Sequence, residues 1–306
     1  MIKADDIAFV RFSAPDLDKM EAFLSDFGMA RAARDDNTLY MRGEGGDPFL
    51  HVTHKGEPGF AGIAFKATSV GDLELLASTT GSKIEALDGP GGGQVVKLRD
   101  PDGFLVETVA GRGALAPDAT PPEQALNDWR KRVRHNAPKR VGRGASHIKR
   151  LGHCVLNVSN FRASEAWYKQ HFGFITSDEI KLSPEFALGA FMRCDRGEKP
   201  ADHHTLFLMG TGTPKFNHAA YEVTDFDDLM SGHDLLQEKQ YKHSWGVGRH
   251  VLGSQIFDYW RDPWGHTLEH WTDGDLMTAS WGSREATIQD VMEVQWGMKM
   301  PPDMAG

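Results

Sequence analysis

Cysteine is nearly absent: Cys154 and Cys194 are the two thiols in a chain of 306 residues. That excludes a disulfide-stapled scaffold and any Cys-x-x-Cys zinc or redox site. Nowhere do the roughly 18 consecutive apolar residues of a membrane span occur, and the N-terminus, MIKADDIAFVRF, lacks the apolar stretch of a signal peptide. Basic residues are in the minority, 34 Lys and Arg against 43 Asp and Glu, for a formal charge of −9. A dedicated nucleic-acid binder would show the opposite balance. What is present is ordinary for a globular protein, with 40% hydrophobic and 10% aromatic residues. The length suits two domains of about 150 residues each. The expectation is a soluble, cytoplasmic protein with no nucleic-acid and no membrane partner.

A seam divides the chain. From Gly111 to about Ser146 the hydrophobic periodicity weakens, and between Arg130 and Arg150 there are nine Lys or Arg and no acid. This stretch reads either as a patch for an anionic partner or as a solvated linker. The acidity of the whole chain favours the linker, carrying a short helix over Pro122–Arg134. The division expected is an N-terminal domain over 1–111, a linker over 112–146, a second domain over 147–275 and a C-terminal tail over 276–306.

The sequence repeats itself across the seam. Ile7-Ala-Phe-Val-Arg-Phe, running to Asp26-Phe27-Gly28, has its counterpart in Gly152-His-Cys-Val-Leu-Asn-Val, running to His171-Phe172-Gly173. Each reads as an alternating strand, a turn and an amphipathic helix closed by glycine. Phe60-Ala-Gly-Ile-Ala-Phe matches Phe216-Asn-His-Ala-Ala-Tyr, again strand then helix. Arg99-Asp-Pro-Asp-Gly matches Arg261-Asp-Pro-Trp-Gly, a turn signal in both copies. The chain therefore holds four strand–helix–strands modules, two per domain. Their fold class is α+β with mixed, strongly curved sheets, and pairing two modules closes a sheet around a concave interior suited to a small molecule.

The copies differ where chemistry is concerned. At the strand positions of His153, His218 and Glu269 the first domain is read as having Ala8, Gly62 and Glu107. A lone histidine on a strand is commonly a hydrogen-bonded core residue. Two histidines and a glutamate at related positions of one domain point instead to a metal. Two neutral imidazoles and one carboxylate, with further positions open, suit a non-haem ferrous ion that binds substrate and dioxygen together. Around them lie Tyr259, ten residues before Glu269; His250, nine before Tyr259; and the pair His203 and His204, fifteen and fourteen before His218. Tyr259 and Glu269 share strand parity, but the Asp-Pro turn between them leaves a common face open.

This pattern resembles the type I extradiol ring-cleavage dioxygenases of the vicinal oxygen chelate superfamily, and the resemblance covers essentially the whole chain. Its most specific stretch is Gly248-Arg-His250, followed by Asp258-Tyr259-Trp-Arg-Asp262-Pro263-Trp-Gly265 and Glu269. The resemblance implies two domains, each of two βαβββ modules. It implies His153, His218 and Glu269 as ligands of Fe(II), with Mn(II) as the other candidate. It further implies His203 as the acid–base residue, with His204 the rival by one position, and Tyr259 and His250 as partners of the substrate's oxygens. Val155 resembles the biphenyl-type members, and the surrounding motifs look closest to trihydroxytoluene-oxygenase-like proteins. Asp258 departs from the family, which usually has an apolar residue there.

The activity so implied is cleavage of a catechol ring beside its hydroxyls by dioxygen, in aromatic compound degradation, by a homo-oligomer. The alternatives are a metal-dependent glyoxalase-like isomerase or lyase, which generally needs four protein ligands, and a non-catalytic aromatic-binding module of the same fold. Trp245, Trp260, Trp264 and Trp271 suggest an aromatic substrate, and Arg249 or His243 is placed to meet a substituent carboxylate.

Overall fold

Each predicted module forms a strand, a helix and a set of strands. The computed structural model describes residues 1–118 and 125–301. The first module is β1 (Ala4–Ala14), α1 (Leu17–Asp26), β2 (Ala30–Arg34), β3 (Thr38–Arg42) and β4 (His51–Lys55). The second is β5 (Gly59–Ala67), α2 (Val70–Thr80), β6 (Ile84–Ala86), β7 (Gln94–Arg99) and β8 (Leu105–Ala110). Beyond the seam come β9 (Ile148–Val158), α3 (Phe161–Phe172), β10 (Ile175–Ser183), β11 (Phe186–Arg193), β12 (Ala201–Asp202) and β13 (Leu206–Gly210). The fourth module is β14 (Lys215–Val223), α4 (Phe226–Glu238), β15 (Lys242–His250), β16 (Ile256–Arg261) and β17 (Thr267–Thr272).

All four module helices begin at a capping side chain. Asp16, Ser69, Asn160 and Asp225 each accept the backbone N–H three residues on, which satisfies a donor that the first turn leaves without an intrahelical partner. Within each half, the two modules join through their first strands, β1 with β5 and β9 with β14, both antiparallel. The result is one eight-stranded and one ten-stranded mixed sheet.

A single large core is shared by both halves. Phe27 stacks on His270 at 3.8 Å, Phe23 meets Tyr241 edge-on and Phe65 packs on Phe172 and Phe174. Three buried polar contacts cross this core. His270 Nε2 donates to the Phe27 carbonyl at 2.7 Å, Tyr168 donates to Asp100 at 3.1 Å, and His51 Nδ1 lies 3.0 Å from the Tyr221 hydroxyl. Smaller apolar clusters line the opposite faces of the sheets, where the concave interiors lie. Among the described residues, no helix is long and apolar enough to cross a membrane.

Two expectations about the connecting segments need correction. Residues 125–134 hold no helix; residues 122–124 of the expected helix lie outside the described residues. Instead, Asp128 Oδ1 accepts the N–H groups of Arg130 and Lys131, and Asn127 Oδ1 those of Val133 and Arg134. Such side chains compete with the helical ladder for backbone donors. The segment read as a tail is also structured. It forms β18 (Leu276–Met277), β19 (Arg284–Thr287), α5 (Ile288–Met292) and β20 (Val294–Gly297). β19 adds parallel to β10 at one edge of the ten-stranded sheet, and β20 adds antiparallel to β15 at the other.

Candidate metal centre

Strands β9, β14 and β17 lie side by side, and this adjacency brings His153, His218 and Glu269 together. His153 pairs with Ala220 across β9–β14, and Ala220 with Glu269 across β14–β17. One nitrogen of each histidine and one oxygen of the glutamate lie within 4.8 Å of one another, and all three residues are buried. His153 Nε2 is 3.2 Å and His218 Nε2 3.4 Å from Glu269 Oε2. Those approaches lack hydrogen-bond alignment: both Glu269 oxygens and His218 Nε2 are buried with no hydrogen-bond partner. Buried polar atoms are rarely left so. Two imidazole nitrogens and a carboxylate converging on one point, with no partner among themselves, fit a divalent cation of the iron or manganese kind.

The surroundings hold these atoms in the state a metal needs. Asn217 Oδ1 lies 2.8 Å from His218 Nδ1 and accepts its proton, which leaves the lone pair on Nε2. Burial pushes the His218 imidazolium down to about 3, so the ring is neutral at physiological pH. Burial alone would raise the Glu269 carboxyl. Contacts with His153, His250 and His218 outweigh that and hold it well below the usual carboxylate range. Gly152 is required beside His153, because a Cβ there would come within 2.5 Å of the Trp271 ring.

A cavity of about 270 Å³ opens over this cluster, and His153, His204, His218, His250 and Tyr259 line its polar end. Tyr259 pairs directly with Glu269 across β16–β17, so the two share a face. The Tyr259 hydroxyl is 2.9 Å from His250 Nε2. Burial and the Glu269 charge push its phenol well above the ordinary value, so it keeps its proton.

The doubled histidine resolves into two different environments. His203, the residue expected to act as acid and base, does not line the cavity; His204 does. His203 turns toward Asp178, whose Oδ2 accepts from Nε2 at 2.6 Å. Its other nitrogen, Nδ1, lies 3.0 Å from His204 Nδ1. In the tautomer that places the His203 ring proton on Nε2, toward Asp178, Nδ1 accepts a proton from His204 Nδ1, and His204 keeps a lone pair on its own Nε2. Burial, with the neighbouring His153 and His203, holds His204 well below its ordinary pKa. Asp178 is 25 residues from His203 and no motif ties the two, whereas Asn217 is the sequence neighbour of His218 and nothing in its residue type marks it as the ring's partner.

Other expectations shift as well. Strand register places Phe9, not Ala8, opposite Ala64 and in line with Glu107, which makes Phe9 the counterpart of His153. Gly62 and Glu107 hold the positions expected of them. In that half Arg11 ion-pairs with the buried Glu107 and lies 3.3 Å from His54 Nε2. Neither residue proposed for a substituent carboxylate is available. Arg249 bonds Asp273 and the Ser254 carbonyl, and His243 lies 2.8 Å from Asp258. Of the four tryptophans, Trp245 alone lines the cavity.

Asp258 explains its own departure from the family. It is fully buried on the face of β16 opposite Tyr259 and accepts from His233, His243 and Trp260 at 2.6–3.0 Å. Asp258, His233 and His243 also bring potential ligand atoms within 4.8 Å of one another. Here, however, each contact to the carboxylate is a formed hydrogen bond, and no orphaned oxygen remains. The group is a hydrogen-bonded brace beneath the strand that carries Tyr259.

Residues 150–270 match the Glyoxalase/Bleomycin resistance protein/Dioxygenase superfamily. These residues, which hold the centre, are thus a domain of that superfamily, and the chain as a whole shares the fold of the solved structure below. Metapyrocatechase 2 of Cupriavidus necator is 30% identical over 206 residues, 66% of this chain and 60% of that protein's length. The manganese-dependent 2,3-dihydroxybiphenyl 1,2-dioxygenase of Geobacillus genomosp. 3 is 26% identical over 94% of this chain and 92% of its own. Among solved structures, the Mn(II)-bound glyoxalase from Novosphingobium aromaticivorans superposes with a TM-score of 0.78 at 23% identity, covering 99% of this chain and 94% of that one.

Proposed function

We propose that the protein is an extradiol dioxygenase that opens a catecholic ring beside its two hydroxyls and retains both atoms of O2 in the product, in aromatic compound degradation. The observation that carries this reading is the clustering of His153, His218 and Glu269, with orphaned polar atoms, beneath a cavity where the two histidines meet His204, His250 and Tyr259. Relatives named as a metapyrocatechase, a 2,3-dihydroxybiphenyl 1,2-dioxygenase and an iron-dependent extradiol dioxygenase support it. His153, His218 and Glu269 would hold Fe(II), with Mn(II) the other candidate. Such an ion supplies a Lewis acid for the catechol oxygens and an electron path between ring and dioxygen.

The chain's own groups handle the protons. The lone pair on His204 Nε2 accepts a catechol hydroxyl proton as substrate enters, and the same nitrogen returns it to the departing oxygen later. His203, tied to Asp178, keeps His204 in the tautomer that makes this possible. Tyr259, a phenol that keeps its proton, donates to oxygen where negative charge gathers, and His250 orients that hydroxyl. The test is aerobic mixing of the iron-loaded protein with a catechol. A yellow ring-opened product carrying two labelled oxygens from ¹⁸O₂ supports the reading; a colourless cis,cis-muconate means cleavage between the hydroxyls and defeats it.

A further inference from the structure

Away from the metal cluster the cavity wall is mostly apolar, with Thr211, Gln255 and Asp290 among its polar members, and none of the described residues lining it is a lysine or arginine. Phe191, Phe207, Trp245 and Leu252 form much of it, and the C-terminal segment closes the rest. That segment is a strap. β19 and β20 are hydrogen-bonded to opposite edges of the ten-stranded sheet, so α5 between them crosses the open side and sets Val291 against the cavity. The side chain of Asp290, the one ionisable residue the strap adds to the lining, caps α5 by accepting the Thr287 N–H at 2.7 Å and its hydroxyl.

We infer that this strap makes the protein selective for catechols bearing an uncharged hydrocarbon substituent, an alkyl chain or a second ring, over catechols bearing a carboxylate. A carboxylate moved from water into such a pocket finds no cation to pair with and meets a fixed negative charge at Asp290, and burying an unpaired charge is strongly unfavourable. A hydrocarbon arm gains from the same transfer. The nearby cations do not rescue the anion: Arg249 is bonded to Asp273 and Ser254, and His243 to Asp258. The inference rests on the ring-cleavage reading for its chemistry, but the selectivity of the cavity is measurable without turnover.

The experiment pairs 3- and 4-butylcatechol with 2,3- and 3,4-dihydroxybenzoate. Anaerobic binding to the metal-loaded protein is followed by quenching of Trp245 fluorescence, with Trp245→Phe as the control that identifies the signal, and turnover is followed by oxygen uptake. The expected result is at least about 100-fold tighter binding and higher kcat/KM for the butylcatechols, in the range that a missing polar partner commands. Val291→Arg, which places a cation in the wall, should narrow or reverse that ratio. Equal or better binding of the dihydroxybenzoates by the unmodified protein overturns the inference while leaving ring cleavage intact. Preferential binding of butylcatechols without oxygen uptake upholds the cavity's selectivity and defeats the ring-cleavage reading instead.

Discussion

Glu107 and Glu269 occupy the same position in the two halves of the molecule, each parallel-paired with an alanine, Ala64 or Ala220, of the neighbouring strand. Their fates diverge through what faces them. Glu107 receives the guanidinium of Arg11, and the equivalent of His218 is Gly62, where a Cβ would come within 2.8 Å of the Leu105 carbonyl. Glu269 faces two imidazoles and has no hydrogen-bond partner. One scaffold thus carries a closed ion pair on one side and an open ligand set on the other.

Arg11→Met should therefore cost stability rather than metal. Removing one partner of a buried ion pair strands the other charge, typically a loss of about 3–5 kcal/mol. Chemical denaturation should show a loss of that order, with metal content per chain unchanged.

His204→Phe should keep its metal and lose about 10²- to 10⁴-fold in kcat, the usual share of a general acid–base group. Asp178→Asn should also keep its metal and lower kcat by about 10- to 100-fold with little change in KM, because the residue acts through tautomer and orientation. Steady-state kinetics with metal analysis check both. A His204→Phe enzyme at full speed would return the role to His203.

Tyr259→Phe should lower kcat by about 10²- to 10³-fold, as loss of a preorganised donor does, while substrate binding in the absence of oxygen stays near that of the unmodified protein.

The brace beneath β16 predicts a pH-dependent stability. The hydrogen bond to Asp258 is the main cause holding the His233 pKa above its ordinary value, against opposing burial. A raised folded-state pKa gives stability that is fully present below the unfolded value, about 6.5, and is lost as pH rises through the folded one. The Tm gap between the unmodified protein and His233→Ala should thus be wide at pH 6 and shrink by pH 9. A gap that widens toward alkaline pH contradicts the assignment.

Much of this was legible in the sequence because the repeat exposes it. Four strand–helix–strands modules, the seam, and the two histidines and glutamate absent or retained in the other copy all follow from matching motifs. The slip from Phe9 to Ala8 has a specific origin. The strand starts Ala4 and Ile148 differ by 144 positions, whereas the glycines after the helices, Gly28 and Gly173, differ by 145. Aligning on the glycines moves the strand by one residue, and one residue on a strand changes the face. The difference between His203 and His204 was hidden for a related reason: one of two adjacent residues lines the cavity, and Asp178, which bonds the other, lies 25 residues from it with no local signal. The tail became a strap because its short, exposed strands are made by pairing with sheet edges that local pattern does not reveal.

The most direct measurement is anomalous X-ray scattering from crystals grown with Mn(II) or, without oxygen, Fe(II). One strong peak per chain is expected, about 2.0–2.3 Å from a nitrogen of His153, a nitrogen of His218 and an oxygen of Glu269. A peak at His233, His243 and Asp258 with none at Glu269, or no peak at all in protein that turns over catechol, would contradict it.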